Sequence, residues 1–202
     1  MRASDLRVDE LRAELVRLAH RAFDLGLTLG VSGNLSVRVP ESDRIVIKAT
    51  GLSLGDMTVE DTLLLDLAGH VLEESPRRPS KERFFHLAIY RARPDVGAVA
   101  HLHPPYVLAF AALHRLPPLL TGASRAFLGG KLVLVRPAPS GSQELADLVG
   151  QAFGNPTIAA AILAEHGSVT VGSDLRQAFY LSQYLEDAAR TAVLVDRLRQ
   201  ME

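Results

Sequence analysis

The sequence predicts an α+β domain, with helices set around a mostly antiparallel sheet whose consecutive strands are joined by short turns. Two observations carry this. Apolar residues recur at helical spacing in segments at both ends and in the middle of the chain, and short β-branched or alternating runs bounded by Gly, Pro and Asp lie between them. A third observation, that no internal repeat, low-complexity tract or long linker interrupts the pattern, predicts one domain spanning residues 1–202.

The first helix is expected over residues 8–25, where Leu11, Leu15, Leu18, Ala19, Ala22 and Phe23 share a face and Gly26 is the stop. Residues 35–39 and 45–49, separated by Pro40 and Asp43, read as a hairpin. Residues 62–67 read as a strand, followed by an Ala68-Gly69-His70 turn and a short return at Val71-Leu72. Residues 80–92 carry Phe84, Phe85, Ala88 and Ile89 at helical spacing, with Ser80 placed as the N-cap. The turn signal Arg93-Pro94-Asp95 then introduces an apolar strand, residues 96–100, running into His101-Leu102-His103. Pro104-Pro105 opens a helix reaching Leu113, and residues 142–153 form another. Residues 131–135 and 158–163 are strands. The long amphipathic helix over 174–199, capped by Ser173 or Asp174, is the last element.

Composition narrows function by exclusion. Hydrophobic residues make up 48% and charged residues 22%, and the net charge is −1 with both signs mixed along the chain. Nothing forms a basic stripe, so nucleic acid and anionic membrane are poor partners. No apolar run approaches the roughly 18 residues of a membrane span, and the first residues lack a signal-peptide core, so a soluble, cytoplasmic protein is expected. With no cysteine in the chain, metal ligands must be His or carboxylates.

His101 and His103 are the most informative pair. Residues i and i+2 of a strand share a face, so both rings can reach one cation at about 2.0–2.1 Å. The pair is short, and two partly buried histidines bonded to backbone would look the same. His166 follows the apolar run 159–164, and Gly167 permits a tight turn beside it. His20, His70, His86 and His114 read as non-ligands; His86, one helical turn after Glu82, is expected in a surface or core role, with support of a ligand as the alternative.

Ser32-Gly33-Asn34-Leu35-Ser36, Ala49-Thr50-Gly51, Pro79-Ser80-Lys81-Glu82, His101-Leu102-His103-Pro104-Pro105 and Glu165-His166-Gly167, in this order and spacing, together resemble the class II aldolase/adducin family. The resemblance covers about residues 18–199, and residues 84–95 are most similar to the branch acting on L-fuculose 1-phosphate. It implies a three-layer α/β/α fold with a mostly antiparallel sheet. It also implies one Zn2+ per subunit on His101, His103 and His166, with Glu82 as the carboxylate that binds metal or moves a proton. A phosphorylated sugar would be held through Gly33, Asn34, Thr50, Gly51, Ser80 and Lys81, in a homotetramer with sites at subunit interfaces. The expected reaction is cleavage of a ketose 1-phosphate to dihydroxyacetone phosphate and an aldehyde. A 4-epimerase of ribulose 5-phosphate, whose pattern Lys48 resembles, and a methylthioribulose-phosphate dehydratase are the alternatives. An adducin-like binding module is a third, opposed by the presence of all three histidines.

Two departures from the aldolase branch stand out. Its tyrosine aligns near Gly122, and no tyrosine lies between Tyr106 and Tyr180. The chain also stops at Glu202, where that branch carries a tail with another tyrosine. Arg125 and Phe127 are the candidates to reach a neighbouring subunit's site instead, and Leu116-Pro117-Pro118-Leu119-Leu120 is the candidate interface segment.

Overall fold

The computed structural model describes residues 3–201. Seven strands make one sheet: β1 (Asn34–Val39), β2 (Arg44–Lys48), β3 (Thr62–Asp66), β4 (Ala98–Leu102), β5 (Leu132–Val135), β6 (Ala160–Leu163) and β7 (Gly167–Gly172). Their order is β3-β2-β1-β4-β7-β6-β5, and every neighbouring pair is antiparallel except β5 with β6. The mostly antiparallel expectation holds. Short turns, however, join only β1 to β2 and β6 to β7; the remaining connections are longer, and most of them contain the helices.

The helices α1 (Ala3–Asp24), α2 (Arg83–Ala92), α3 (Pro105–Ala112), α4 (Gly122–Leu128), α5 (Gln143–Phe153) and α6 (Leu175–Arg199) cover both faces. Strand alternation decides which side chain goes where. Ile45, Ile47, Leu63, Leu65 and Val99 pack on Phe85 and Ile89 of α2 and on Leu145, Val149 and Phe153 of α5. On the other face Leu35, Val37, Ala98, Ala100 and Leu102 meet Leu15, Leu18 and Ala22 of α1 and Leu175 and Phe179 of α6. Further along, Ala160 and Ile162 meet Val107, Leu128 and Leu185. Each large side chain buried this way contributes roughly 1.5–3 kcal/mol.

Register places the polar exceptions. β1 against β4 pairs Asn34 with His101 and Ser36 with Val99, and β4 against β7 pairs His101 with Val169. Opposed residues share a face, so Asn34, Ser36 and His101 all look toward α2. His103 lies just beyond the end of β4.

Some boundaries differ from expectation. The first helix starts at Ala3 rather than residue 8. Ser80 does not cap α2, which begins at Arg83 with Glu82 in the capping position. The Ala49–Pro79 bridge and the Ser80 amide on the Lys48 carbonyl at 3.1 Å hold the chain extended there, and the Ser80 hydroxyl accepts the Glu82 amide at 3.3 Å. The return at 71–72 is a single bridge between Leu65 and Val71. Of the two caps expected for the last helix Asp174 is the one that forms, accepting the Gln177 amide, and Ser142 caps α5 rather than opening it, accepting the Leu145 amide. Three elements were not anticipated: a single 3-10 turn at Val59–Asp61, α4, which opens with a Thr121–Ser124 capping box, and β7, whose run is glycine at both ends.

Candidate metal and substrate site

His101 is fully buried, and its Nδ1 lies 2.9 Å from the Ser168 carbonyl. A carbonyl only accepts, so Nδ1 carries the proton and Nε2 of the neutral ring presents a lone pair. That Nε2 stands 3.1 Å from Glu82 Oε2 and 2.9 Å from His103 Nε2. His166 Nε2 lies 2.9 Å from Glu82 Oε1. The ligand atoms of His101, His103 and His166 all fall within 4.8 Å of one another, and their rings meet at steep angles of 70° to 88°. This donor set converges with more lone pairs than protons. One protonated imidazole satisfies a single contact, whereas a divalent cation satisfies all of them, so the residues fit a metal. Burial, with His101 and His166 beside it, pushes the His103 ring down to about 3, keeping it in the neutral form a ligand needs.

Glu82 also accepts from the Ser140 hydroxyl at 2.7 Å on Oε1 and from Asn34 Nδ2 at 2.9 Å on Oε2. Burial alone would push its carboxyl up. The neighbouring His101, His166 and Ser140 outweigh that and hold it well below the usual carboxylate range.

Two glycines permit this convergence. At Gly33 (φ +78°) an added Cβ would lie 2.9 Å from Thr28 Oγ1 and 3.1 Å from the His101 carbonyl. At Gly167 it would lie 2.8 Å from the Leu102 carbonyl and 2.9 Å from the His103 ring. Only glycine lets the β6–β7 turn bring His166 alongside His103.

One cavity of about 230 Å³ collects the expected residues Gly33, Asn34, Thr50, Gly51, Ser80, Lys81, Glu82, His103 and His166, with His101 buried behind it. Thr50 and Ser80 bring hydroxyls to it, since their amides already donate to the Arg78 and Lys48 carbonyls. The Asn34 amide faces Glu82 and His86. Val31, Ser32, Lys48 and Ser140 complete the lining. The Lys48 side chain is buried, its ammonium 3.4 Å from the Val31 carbonyl, and burial, opposed by Glu82, pushes it down to about 8. Ser140 escaped sequence reasoning; its one signal is the Ser140-Gly141-Ser142 turn before α5, where Gly141 (φ +76°) passes close to the Lys81 backbone. His86 is a core residue, as one of its two expected roles had it.

Comparison with known proteins agrees with this arrangement. The family model for the class II aldolase and adducin N-terminal domain matches residues 13–193. The chain is 36% identical to the 3-oxo-tetronate 4-phosphate decarboxylase of Haemophilus influenzae, over 93% of this chain and 87% of that protein. It is 32% identical to the L-fuculose phosphate aldolase of Methanococcus maripaludis strain S2, over 92% of this chain and 98% of that one. A solved L-fuculose 1-phosphate aldolase superposes with a TM-score of 0.85 at 28% identity, covering 94% and 87% of the two chains. By sequence and by fold, this chain belongs to the class II aldolase and adducin family, on its enzymatic, lyase side.

Proposed function

We propose that the chain is a zinc-dependent class II aldolase that reversibly cleaves a ketose 1-phosphate, of the L-fuculose 1-phosphate type, into dihydroxyacetone phosphate and an aldehyde. The observation that carries this reading is one cavity with two chemistries. Three imidazoles and Glu82 converge on one side, and the Gly33, Gly51 and Ser80 turns with Lys48 line the other. The relatives named L-fuculose phosphate aldolase support the substrate class.

In this reading His101, His103 and His166 hold the ion. Zinc, when bound, polarises the ketose carbonyl and offsets the charge that develops as the carbon–carbon bond breaks. Glu82, held between Asn34 and Ser140, moves the proton at the dihydroxyacetone carbon. Lys48 and the Thr50 and Ser80 hydroxyls receive the phosphate.

A second reading has specific support. A four-carbon 3-oxo acid 4-phosphate that loses its carboxyl carbon as carbon dioxide leaves the same dihydroxyacetone phosphate fragment. The two reactions differ only in what departs. An aldehyde forms as its hydroxyl gives a proton to a base, whereas carbon dioxide leaves without that exchange. The lack of a tyrosine between Tyr106 and Tyr180, together with the 36% identical decarboxylase, favours the second departure. Incubating metal-loaded enzyme with ketose 1-phosphates, pentulose phosphates and 3-oxo-tetronate 4-phosphate, with products identified by NMR, separates them. Aldehyde release supports the aldolase and carbon dioxide release the decarboxylase, while an epimer or a dehydrated ketone would displace both.

The same reading takes the enzyme as a homotetramer with sites at subunit boundaries. Exposed Phe127 and Tyr180, with Tyr184, line a groove of about 540 Å³ that is suited to such a contact. Arg125 bonds the Leu119 and Leu120 carbonyls of its own chain, and Phe127 stacks on Tyr184 with ring centres 4.0 Å apart. Phe127 thus keeps an open edge for a neighbour, while Arg125 braces the 116–120 segment. Light scattering should give about four times 21.9 kDa.

A further inference from the structure

Glu82 ends a buried hydrogen-bond chain that, beyond Asn34, the proposed chemistry does not use. Asn34 Nδ2 lies 2.9 Å from Glu82 Oε2, and Asn34 Oδ1 meets His86 Nε2. His86 Nδ1 lies 2.7 Å from Ser36 Oγ, which lies 2.8 Å from the Tyr90 hydroxyl. Asn34, Ser36, His86 and Tyr90 are all closed to solvent. The geometry follows from matched periods: two residues along β1 advance roughly 6.6 Å, and four along α2 roughly 6 Å, so the pairs Asn34/Ser36 and His86/Tyr90 line up.

The proton directions follow from one end. A carboxylate only accepts, so Asn34 turns its NH2 to Glu82 and its oxygen to His86. An amide oxygen only accepts, so His86 carries its proton on Nε2. Its Nδ1 then accepts from Ser36, and Ser36 accepts from Tyr90. Burial, with His101 nearby, pushes His86 down to about 3, which leaves a neutral ring with one proton to direct.

We propose that His86 is a positioning residue for the reaction: its Nε2–H fixes the Asn34 amide so that the NH2, rather than the oxygen, faces Glu82. Without that donor the amide is free to turn, its oxygen repels the carboxylate, and Glu82 loses its orientation. This inference rests on Glu82 being the group that moves the proton.

His86→Phe keeps the ring shape without the donor, and His86→Gln returns an N–H near the same place. With metal content and KM unchanged, His86→Phe should lower kcat about 10- to 100-fold, and His86→Gln should stay within about threefold of the parent. Adding His86→Phe to Asn34→Ala should cause no further loss, because both act through one amide. Two NMR readouts need no turnover. Long-range proton–nitrogen spectra of the parent should show the Nε2–H tautomer of His86 from about pH 5 to pH 8. The Asn34 side-chain amide protons should exchange with water at least about tenfold faster in His86→Phe. An Nδ1–H tautomer, unchanged Asn34 exchange, additive losses, or a Gln variant as impaired as Phe would overturn the proposal. If the parent cleaves no sugar phosphate, the functional reading fails while the NMR results still decide the orientation. If His86→Phe does not fold, the parent tautomer and the Gln and Asn34→Ala variants decide it.

Discussion

On one side of the cavity, His101, His103 and His166 bring their ring nitrogens within 4.8 Å of one another, and Glu82 closes the group from a buried position. Strand register and a strand-end turn set the histidine atoms, and no other side chain among the described residues places an imidazole nitrogen there. On the opposite side, Ser32-Gly33, Thr50-Gly51 and Ser80-Lys81 come from three separate turns, and Thr50, Gly51 and Lys81 are exposed. That wall offers hydroxyls, the ammoniums of Lys48 and Lys81, and glycines at φ +78° and +77° that keep side chains out of the way. The first wall should therefore fail steeply when touched, and the second by degrees.

The steepest failure is expected at His166→Ala. Removing one of three ring ligands should weaken divalent-metal affinity by more than about 100-fold, beyond what the loss of a mere supporting partner costs, as read by competition with a chromogenic chelator. Parent-like affinity would remove His166 from the ligand set. Glu82→Gln comes next: fold and metal retained, turnover down about 10²- to 10⁴-fold where chemistry is rate-limiting. A rate within about threefold of the parent would place the proton transfer on another group.

On the graded wall, pH is the probe. The Lys48 ammonium is populated below about 8 and lost above it, so KM for a phosphorylated substrate should climb as pH rises through that value. Lys48→Met should raise KM and flatten this dependence. Stability should move the other way. The folded-state value lies below the ordinary 10.5, so the penalty for burying the charge is full below about 8 and is relieved as pH rises from there toward 10.5. Thr50→Ala should do least, raising KM about 3- to 10-fold with kcat within about twofold. A larger loss in kcat than in KM at Thr50 would mean that the two walls are not separate.

What could be read in advance follows the same division. His101 and His103 are legible because strand alternation is local and histidine is chemically conspicuous. His166 and Glu82 needed their neighbours in order, since neither has a local pattern of its own. Ser80 misled because a serine before an apolar helical run is a strong capping signal, yet its amide's tertiary bond to the Lys48 carbonyl of β2 overrides it. β7 was hidden by its terminal glycines, whose close approaches, Gly167 to the end of β4 and Gly172 to the first turn of α6, appear only in three dimensions. Ser140 and the Ser36–His86 contact join residues 58 and 50 positions from their partners, a separation at which periodicity carries no information.

The late start of α2 has a consequence for divergence. Glu82 sits at its capping position, and His86 and Tyr90 follow on successive turns of the same helix. Glu82, His86 and Tyr90 therefore travel as one stiff unit, docked on β1 and the buried core. The 116–121 loop lies outside that unit and can drift in sequence without retuning it, whereas the 136–142 loop is tied to it through the Ser140 hydroxyl on Glu82. On the function proposed above, a lineage built this way can exchange what its substrate sheds while inheriting the Glu82–His86–Tyr90 unit intact.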